Sequence, residues 1–294
     1  MELLLINKNN QILDLLKNKN RFVLAGAEAL HGIETDTIES ESPYVDGTEI
    51  EDVKALPRGI ELRLKLRGNV KESIAFITNI VKSKQIVSLR EIEGDRDIVV
   101  KGVVTIQPYS RMRPSCELNI SIYCGQPYWE DLNFLVGTIS KKIDLLFFPV
   151  EGQYFPVEGR PFGAIDVNME KTFENTSDVS VGMLIEILAL GDVVNPRIGC
   201  STGEQNGWYM QLNLTLKNND KLQIHTVKRE KYITINELET YNGDPILNYL
   251  EFVGKDWLQL EQGSNTFNIT TMNGSERVPA ENVYFTINYK GRYE

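Results

Sequence analysis

The chain has few of the side chains that carry out chemistry in enzymes. Its 294 residues include two histidines, His31 and His225, and three cysteines. Neither histidine stands near a cysteine or an acidic pair at metal-ligand spacing, and His225 occupies a polar position of a strand-like segment, where we expect it to face solvent. The sequence also lacks a nucleophile elbow, a phosphate-binding loop and a His-Glu-x-x-His helix. We therefore expect no catalytic residue, no cofactor and no metal site.

The three cysteines are too few for a disulfide framework or a zinc knuckle. Cys116 and Cys124 lie eight residues apart in one alternating segment, so they share a face of a strand but are separated by about 26 Å. At that distance they can share neither a disulfide nor a zinc ion. We expect both, together with Cys200, to be small buried hydrophobic residues.

Basic charge and long apolar runs are scarce as well. The formal net charge is −10, with 31 Lys and Arg against 41 Asp and Glu. Binding to nucleic-acid phosphates needs clustered Lys and Arg, so we do not expect the chain to grip DNA, although an acidic wall suits a channel through which DNA slides. The N-terminus has four apolar residues in a row and no cationic start, and no apolar run reaches about 18 residues. We expect neither a signal peptide nor a membrane segment.

Acidic side chains concentrate in two segments. Between Glu34 and Asp52 there are eight carboxylates and no Lys or Arg. Only a fragment of a calcium-loop pattern occurs there, at 46–49, so the segment is interpreted as a solvated acidic loop or as a loop that faces a DNA passage or a basic partner. The second segment holds Glu91, Glu93, Asp95 and Asp97. A glycosidase pair is conceivable there, but Gly94-Asp95-Arg96 is more simply a turn between strands.

The first half of the chain alternates with a period of two. Ile60 to Leu66 puts aliphatic side chains on one face and charged ones on the other, which predicts a half-buried strand. Asn69 and Glu72 form a capping-box-like start, and the apolar spacing beyond them predicts an amphipathic helix over 70–82. Further strands are predicted at 86–89, at 98–106 with a bulge at Gly102, and at 116–124, followed by a short helix or turn at 128–135.

The segment 149–163 contains three prolines and three glycines and gives the strongest linker signal in the chain. We therefore predict two domains, 1–150 and 151–294. Short strands separated by turns in the second half are typical of an antiparallel sandwich. The predicted strands are 183–190, 208–216, 222–227, 232–235, 266–270 and 283–289, with a hairpin-like turn at 217–221 and another turn at 272–275.

Aromatic residues of the second half admit two interpretations. Trp208, Tyr209 and Trp257 could stack sugars if their rings were exposed. Trp257, however, precedes Leu258 and Leu260 in an alternating run, so we expect its ring to be buried in the core.

Several segments occur in an order that resembles the distal tail proteins of phages. In the first half they are Asp97-Ile-Val-Val-Lys-Gly-Val-Val104 and Cys116-Glu-Leu-Asn-Ile-Ser-Ile-Tyr-Cys124-Gly-Gln-Pro127-Tyr128-Trp129. In the second half they are Gly191-Asp-Val-Val-Asn-Pro196, Trp257-Leu-Gln-Leu-Glu-Gln-Gly-Ser-Asn265 and Val283-Tyr-Phe-Thr-Ile-Asn-Tyr289. None of these segments is catalytic in the family.

The resemblance implies a mainly β structural protein without enzymatic activity. Its N-terminal domain would be a tail-tube-like β-sandwich or split barrel with one α-helix that closes into a hexameric ring. Its C-terminal domain would be a galectin-like antiparallel β-sandwich used for attachment. The ring would lie at the virion tail tip between the tail tube and the tip hub protein, close to receptor-binding proteins, with DNA passing through it unbound. The chain would be made and assembled in the cytoplasm of the bacterial host.

Two other classes of function stay open on the sequence alone. One is a carbohydrate-binding module for adhesion to the host surface, and the other is a glycan-cleaving enzyme of unrecognised type. The aromatic residues of the second half would support a carbohydrate-binding module. The acidic segment around Gly94 would support a glycan-cleaving enzyme.

Overall fold

The structure is a computed structural model that describes residues 1–41, 47–107, 116–138, 141–144, 163–166 and 170–294. It contains two compact units, Met1–Leu132 with Arg292–Glu294, and Asn133–Gly291. Strand pairing is antiparallel throughout the described residues. The predicted class, mainly β with one α-helix, is confirmed.

The first unit is built on one large antiparallel sheet. Its elements are β1 (Glu2–Asn7), β2 (Ile12–Asp14), β3 (Phe22–Glu28), β4 (Thr35–Glu41), β5 (Thr48–Ala55), β6 (Arg58–Leu66), α1 (Val70–Ile80), β7 (Ile86–Glu93), β8 (Arg96–Ile106), β9 (Glu117–Cys124) and β10 (Trp129–Asp131). The strand order is β2-β1-β7-β8-β9-β6-β3, with β10 paired to β8. Strands β4 and β5 pair only with each other, as a separate hairpin.

The predicted strand at Ile60 to Leu66 forms all of β6 except its first two residues, and its alternation sets the inner face of the sheet. Ile60, Leu62 and Leu64 are fully buried, while the charged residues between them are exposed. Helix α1 packs its apolar side on the same core. It begins at the predicted cap, where the Asn69 side chain donates to Glu72 Oε1 at 2.7 Å, and it ends at Ile80. No helix of the described residues is long and apolar enough to cross a membrane.

Two predictions for the first unit are wrong. Gly102 is not a bulge, because β7 and β8 pair through it in unbroken register. It is a glycine because an added Cβ would lie 2.6 Å from Ile122 and 2.8 Å from Cys124. The predicted helix or turn at 128–135 is instead the short strand β10, since its backbone completes the ladder beside Ile98 and Val99 of β8.

The second unit consists of two main sheets and short paired strands. Its elements are β11 (Leu135–Thr138), β12 (Lys141–Asp144), β13 (Gly163–Asp166), β14 (Glu170–Asn175), β15 (Met183–Ala189), β16 (Val193–Val194), β17 (Arg197–Cys200), β18 (Tyr209–Leu212), β19 (Thr215–Leu216), β20 (Lys221–His225), β21 (Tyr232–Ile235), β22 (Thr240–Tyr241), β23 (Asp244–Pro245), a 3-10 helix (Ile246–Tyr249), β24 (Leu250–Val253), β25 (Gly263–Asn273), β26 (Glu276–Pro279) and β27 (Val283–Tyr289). The β15 sheet has the order β11-β27-β15-β20-β21, and the β25 sheet has the order β14-β25-β17-β18-β24 with β26 beside β25.

Inward side chains of both sheets form one apolar core, so the second unit is the predicted sandwich. Phe285 and Ile187 reach this core from the β15 sheet, and Phe267 and Ile269 reach it from the β25 sheet. The turn at 272–275 is confirmed, since β25 and β26 form a hairpin there.

Two details of the second unit differ from the prediction. The expected strand 208–216 is two strands, β18 and β19, because β18 pairs in the β25 sheet and β19 pairs with β16. The turn at 217–221 therefore does not close a hairpin. It carries the chain from β19 to β20 of the β15 sheet.

The predicted domain boundary at 149–163 is corrected. The first unit ends at Leu132, and β11 pairs with β27 in the second unit. Residues 145–162 lie outside the described residues, but the strands on either side of them, β12 and β13, pair with each other within the second unit. Proline and glycine are as frequent in a connection between paired strands as in an interdomain linker, which explains the error.

The end of the chain belongs to the first unit. β28 (Arg292–Tyr293) pairs with β10, placing Tyr293 opposite Trp129. Arg292 Nε donates to Glu130 Oε1 at 3.0 Å, and the Tyr293 hydroxyl donates to Asp131 at 3.2 Å. The chain therefore connects the two units twice.

Deletion of residues 292–294 should destabilise the first unit although those residues follow the second one in sequence. The lost ion pair and hydrogen bonds predict a cost of about 1–3 kcal/mol. Hydrogen exchange should become faster at Val99 and at the Trp129 indole and stay unchanged in β15 and β27, which serve as the internal control. Faster exchange confined to β15 and β27 would contradict the assignment of residues 292–294 to the first unit.

Candidate interaction surfaces

The two histidines lie in different units and form no catalytic set. His31 Nε2 is 3.3 Å from the buried carboxylate of Glu91. His225 Nδ1 lies 2.6 Å from the Glu230 carbonyl, and its ring stacks on Tyr232 with centroids 4.9 Å apart. Within the described residues, no three His, Cys, Asp or Glu side chains are grouped so that they could hold a metal ion.

The acidic residues around Gly94 are split between two faces of the sheet. Gly94 has φ of +59° and forms the tight turn between β7 and β8, as predicted. Glu91 points to the core, whereas Asp97 pairs with Arg90 through two bonds of 2.7 and 2.6 Å. Because their carboxylates lie on opposite faces, Glu91 and Asp97 cannot together flank one glycosidic bond.

Because Arg90 pairs with Asp97, the stability of the first unit should decrease at acidic pH. Its hydrogen bonds hold the pKa of Asp97 below the usual value. A lowered carboxyl pKa stabilises the fold above the pKa of the unfolded chain, and this stabilisation is lost as the pH falls through the folded pKa. Asp97→Asn should cost about 1 kcal/mol at neutral pH, and its difference from the wild type should vanish in acid. Denaturant titrations across pH test this, with Asp95→Asn in the turn as control; equal effects of both changes would contradict it.

The acidic segment 34–52 is a hairpin more than a loop. β4 and β5 pair over seven positions with one bulge between Ile38 and Glu39, and nearly all of their side chains are exposed. Thr37 and Glu39 share a face of β4, so their partners Val53 and Ile50 share that face of the ribbon. Both partners are more than half exposed, at 55% and 64%. The solvated interpretation holds, but the segment presents an apolar pair as well as carboxylates.

The root of this hairpin is fixed to the core of the first unit. The Leu30 carbonyl accepts one bond from Arg58 at 2.7 Å and another from the indole N–H of Trp129 at 2.9 Å. The amide of Leu56 donates to the Glu34 carbonyl at 2.8 Å across the base of the hairpin. Arg58 and Trp129 are both buried. The ribbon therefore projects from an anchored base.

A second exposed apolar group lies on the outward side of the large sheet. Ile86, Val103 and Tyr123 are direct neighbours across β7, β8 and β9. Their exposed fractions are 63%, 41% and 60%. Three adjacent large apolar side chains form a patch of the kind that contacts another protein.

The outward face of the β15 sheet also carries apolar and aromatic side chains. One row across the sheet contains Val136, Leu184, His225 and Tyr232. The next row centres on Glu186, which accepts bonds from Lys221 at 2.7 Å, Gln223 at 2.8 Å and Asn288 at 3.0 Å. Partial burial raises the pKa of Glu186, but these bonds outweigh burial and hold its pKa below the usual value. The first row also contains Asn288, so apolar and polar side chains are mixed there beside the fixed polar row, as they are in protein contacts.

Comparisons with known proteins relate the chain to phage tail components. A profile of the siphovirus-type tail component, C-terminal domain, matches residues 176–293. The crystal structure of SPP1 Dit, a phage protein described as a paradigm of the hub adsorption apparatus in phages that infect Gram-positive hosts, covers 99% of this chain and 99% of its own, with 11% identity and a TM-score of 0.59. Residues 176–293 therefore match a tail-component domain, and the chain as a whole shares the fold of SPP1 Dit.

A phage P2 baseplate in its activated conformation is less alike, with 11% identity, coverage of 98% and 97%, and a TM-score of 0.45. No curated protein sequence matches. The profile match relates the second unit to the C-terminal domain of siphovirus-type tail components.

The cysteines of the chain occupy two kinds of environment. Cys124 and Cys200 are buried, as predicted, and burial raises the pKa of the Cys124 thiol to about 11 and the pKa of the Cys200 thiol as well. Cys116 is exposed, so the prediction of its burial is wrong. Cys116 lies just before the first residue of β9. The alternation of that strand therefore does not determine whether the Cys116 side chain faces the core or solvent.

The three aromatic residues considered for sugar stacking do not assemble into an exposed platform. Trp257 is 9% exposed and belongs to the core of the second unit, as predicted. Trp208 packs partly buried against that core and lies so close to Gly254 that an added Cβ would be 2.6 Å from the ring. The Tyr209 ring is covered by the Arg197 guanidinium at 3.8 Å.

Trp257→Ala should lower the stability of the second unit by roughly 3–5 kcal/mol, because it leaves a cavity in the core. Calorimetry should show a lower transition for that unit and an unchanged one for the first unit, while Trp257→Phe, which keeps most of the volume, should cost less. An unchanged transition together with lost glycan binding would instead assign this indole to a sugar platform.

Proposed function

We propose that this chain is a distal tail protein that forms a hexameric ring at the phage tail tip and has no enzymatic activity. The observation that carries the proposal is the likeness of fold over the whole chain to SPP1 Dit, a protein of a hub adsorption apparatus. The ring joins the tail tube to the tip hub protein and, through the second unit, to receptor-binding proteins. A closed ring needs a heterologous interface, in which two different patches of the same subunit meet.

The first unit carries two exposed apolar groups that suit such an interface. One is the Ile50 and Val53 pair on the anchored hairpin, and the other is the Ile86, Val103 and Tyr123 patch. A two-stranded ribbon is marginally stable by itself in water, so contact with a neighbouring subunit would stabilise this hairpin. Ring closure is therefore assigned to the first unit.

The second unit serves as the attachment platform. The outward face of its β15 sheet combines Val136, Leu184 and Tyr232 with the Glu186 network, a mixture of apolar and fixed polar groups. Protein contacts of moderate size have this composition. Tail-tip partners dock on this face.

The net charge of −10 supports a ring through which DNA passes without being held. The described hairpin strands carry Asp36, Glu39, Glu41, Glu49 and Glu51, which repel phosphate. Repulsion keeps the binding of DNA weak during its passage.

Six copies of the 33.4-kDa chain predict a particle of about 200 kDa in light scattering. The double change Ile50→Asp and Val53→Asp should shift the mass toward the monomer without lowering the thermal transitions, because both side chains are exposed and contribute little to the core. Leu247→Asp, at an exposed position of the second unit, is the matched control and should leave the particle intact. A monomer for the wild-type chain at high protein concentration and low salt would count against the ring.

A further inference from the structure

The outward face of the β25 sheet carries two adjacent rows of mostly polar and charged side chains. One row across four strands contains Thr270, Arg197, Gln211 and Glu251, which are neighbours in register. The next row contains Asn268, Gly199, Tyr209 and Val253. Amide, hydroxyl and charged groups thus replace the aliphatic side chains of the β15 sheet.

Gln211 fixes two arginines side by side in this face. Its carbonyl oxygen accepts bonds from Arg197 Nε at 2.9 Å and NH2 at 2.8 Å, and from Arg277 NH2 at 2.8 Å. Arg277 NH1 also donates to the Asn195 carbonyl at 3.2 Å and to Thr270 Oγ1 at 3.3 Å. Gln211 itself is only 7% exposed. The anchor is therefore buried, whereas the guanidinium groups are half-buried.

The two guanidinium charges are incompletely compensated. An amide oxygen offers two lone pairs, and here it receives three N–H groups from two cations. Neither arginine has a carboxylate within 4.0 Å among the described residues. Glu251 is held instead by the Tyr209 hydroxyl at 3.0 Å and by Asn213 at 3.3 Å. Burial, together with the charge of Arg197, lowers the pKa of Arg277.

Two guanidinium groups held at one atom form a fork suited to an oxyanion, since carboxylate and phosphate oxygens accept parallel N–H bonds. The surrounding amides and hydroxyls suit sugar hydroxyls. An acidic protein segment would favour an exposed apolar centre. In these two rows the apolar groups are Val253 and the ring of Tyr209, and the Arg197 guanidinium covers that ring.

We propose that the outward face of the β25 sheet binds an acidic saccharide, with the carboxylate or phosphate group of the sugar between Arg197 and Arg277. Gln211 positions the two arginines, and Asn213, Asn268 and Thr270 lie where they can bond to sugar hydroxyls. The proposal goes beyond the ring function and does not depend on it.

Ligand-observed NMR on the full-length chain tests the proposal with glucuronate, glucose 1-phosphate, glucose and inorganic phosphate. Glucuronate or glucose 1-phosphate should bind at least about tenfold more tightly than glucose, and the stronger of the two identifies the anionic group. Arg277→Gln and Arg197→Gln should each weaken that binding by roughly tenfold to a hundredfold, because each removes a charged hydrogen bond.

Two further variants separate a binding site from a structural role of the arginines. Glu251→Gln removes the nearby competing charge and should strengthen binding, which a loss of structure would not do. Lys217→Gln removes one positive charge from an exposed ion pair with Asp192 elsewhere in the unit and should leave the affinity unchanged.

The proposal is overturned if neither acidic sugar binds at millimolar concentration, or if affinity is the same in Arg277→Gln. Equal affinity for inorganic phosphate and glucose 1-phosphate would overturn the saccharide assignment, because the amide and hydroxyl row would then contribute nothing. Arginine-dependent binding of a polyglutamate peptide, without binding of either sugar, would assign the face to a protein partner and overturn the proposal as well.

Discussion

The buried indole of Trp129 joins three parts of the first unit that lie far apart in sequence. Its N–H donates to the Leu30 carbonyl at the root of the hairpin, its backbone strand pairs with β8 in the large sheet, and it lies opposite Tyr293 at the end of the chain. A buried indole N–H without a partner would cost about 1–3 kcal/mol, so these contacts depend on one another. The position of the acidic hairpin and the place of the chain end are both consequences of this packing.

The second unit shows how one sandwich can present two chemically different surfaces. Alternation buries every second side chain in the shared core, which leaves the other positions free to vary without loss of stability. On the β15 sheet these positions are partly aliphatic, with Val136 and Leu184. On the β25 sheet they are polar, with Arg197 and Gln211. The core therefore sets the fold, while the outward positions set what each face can contact.

The sequence predicted strands and faces well where alternation is regular. Ile60–Leu66, the Asn69 cap and the burial of Trp257 follow from local pattern and spacing. Predictions were wrong where the local pattern is ambiguous. Gly102 was predicted as a bulge, but it is a glycine because a neighbouring strand leaves no room for a Cβ. The proline-rich segment was predicted as an interdomain linker, but β12 and β13 on either side of it pair with each other. The arginine pair was missed, since Arg197 and Arg277 are far apart in sequence and no short motif links them.

The sequence by itself determined the composition of the surfaces, the scarcity of catalytic side chains and the periodicity that makes this a β protein. Those properties depend on residue type and on spacing within a few residues. Tertiary structure alone decided which strands pair, where the first unit ends, that Arg292–Glu294 returns to it, and that Gln211 holds two arginines together. The physical reason is that strand pairing satisfies backbone hydrogen bonds between segments remote in the chain, so the partner of each strand is chosen by packing of the whole core and not by its own residues.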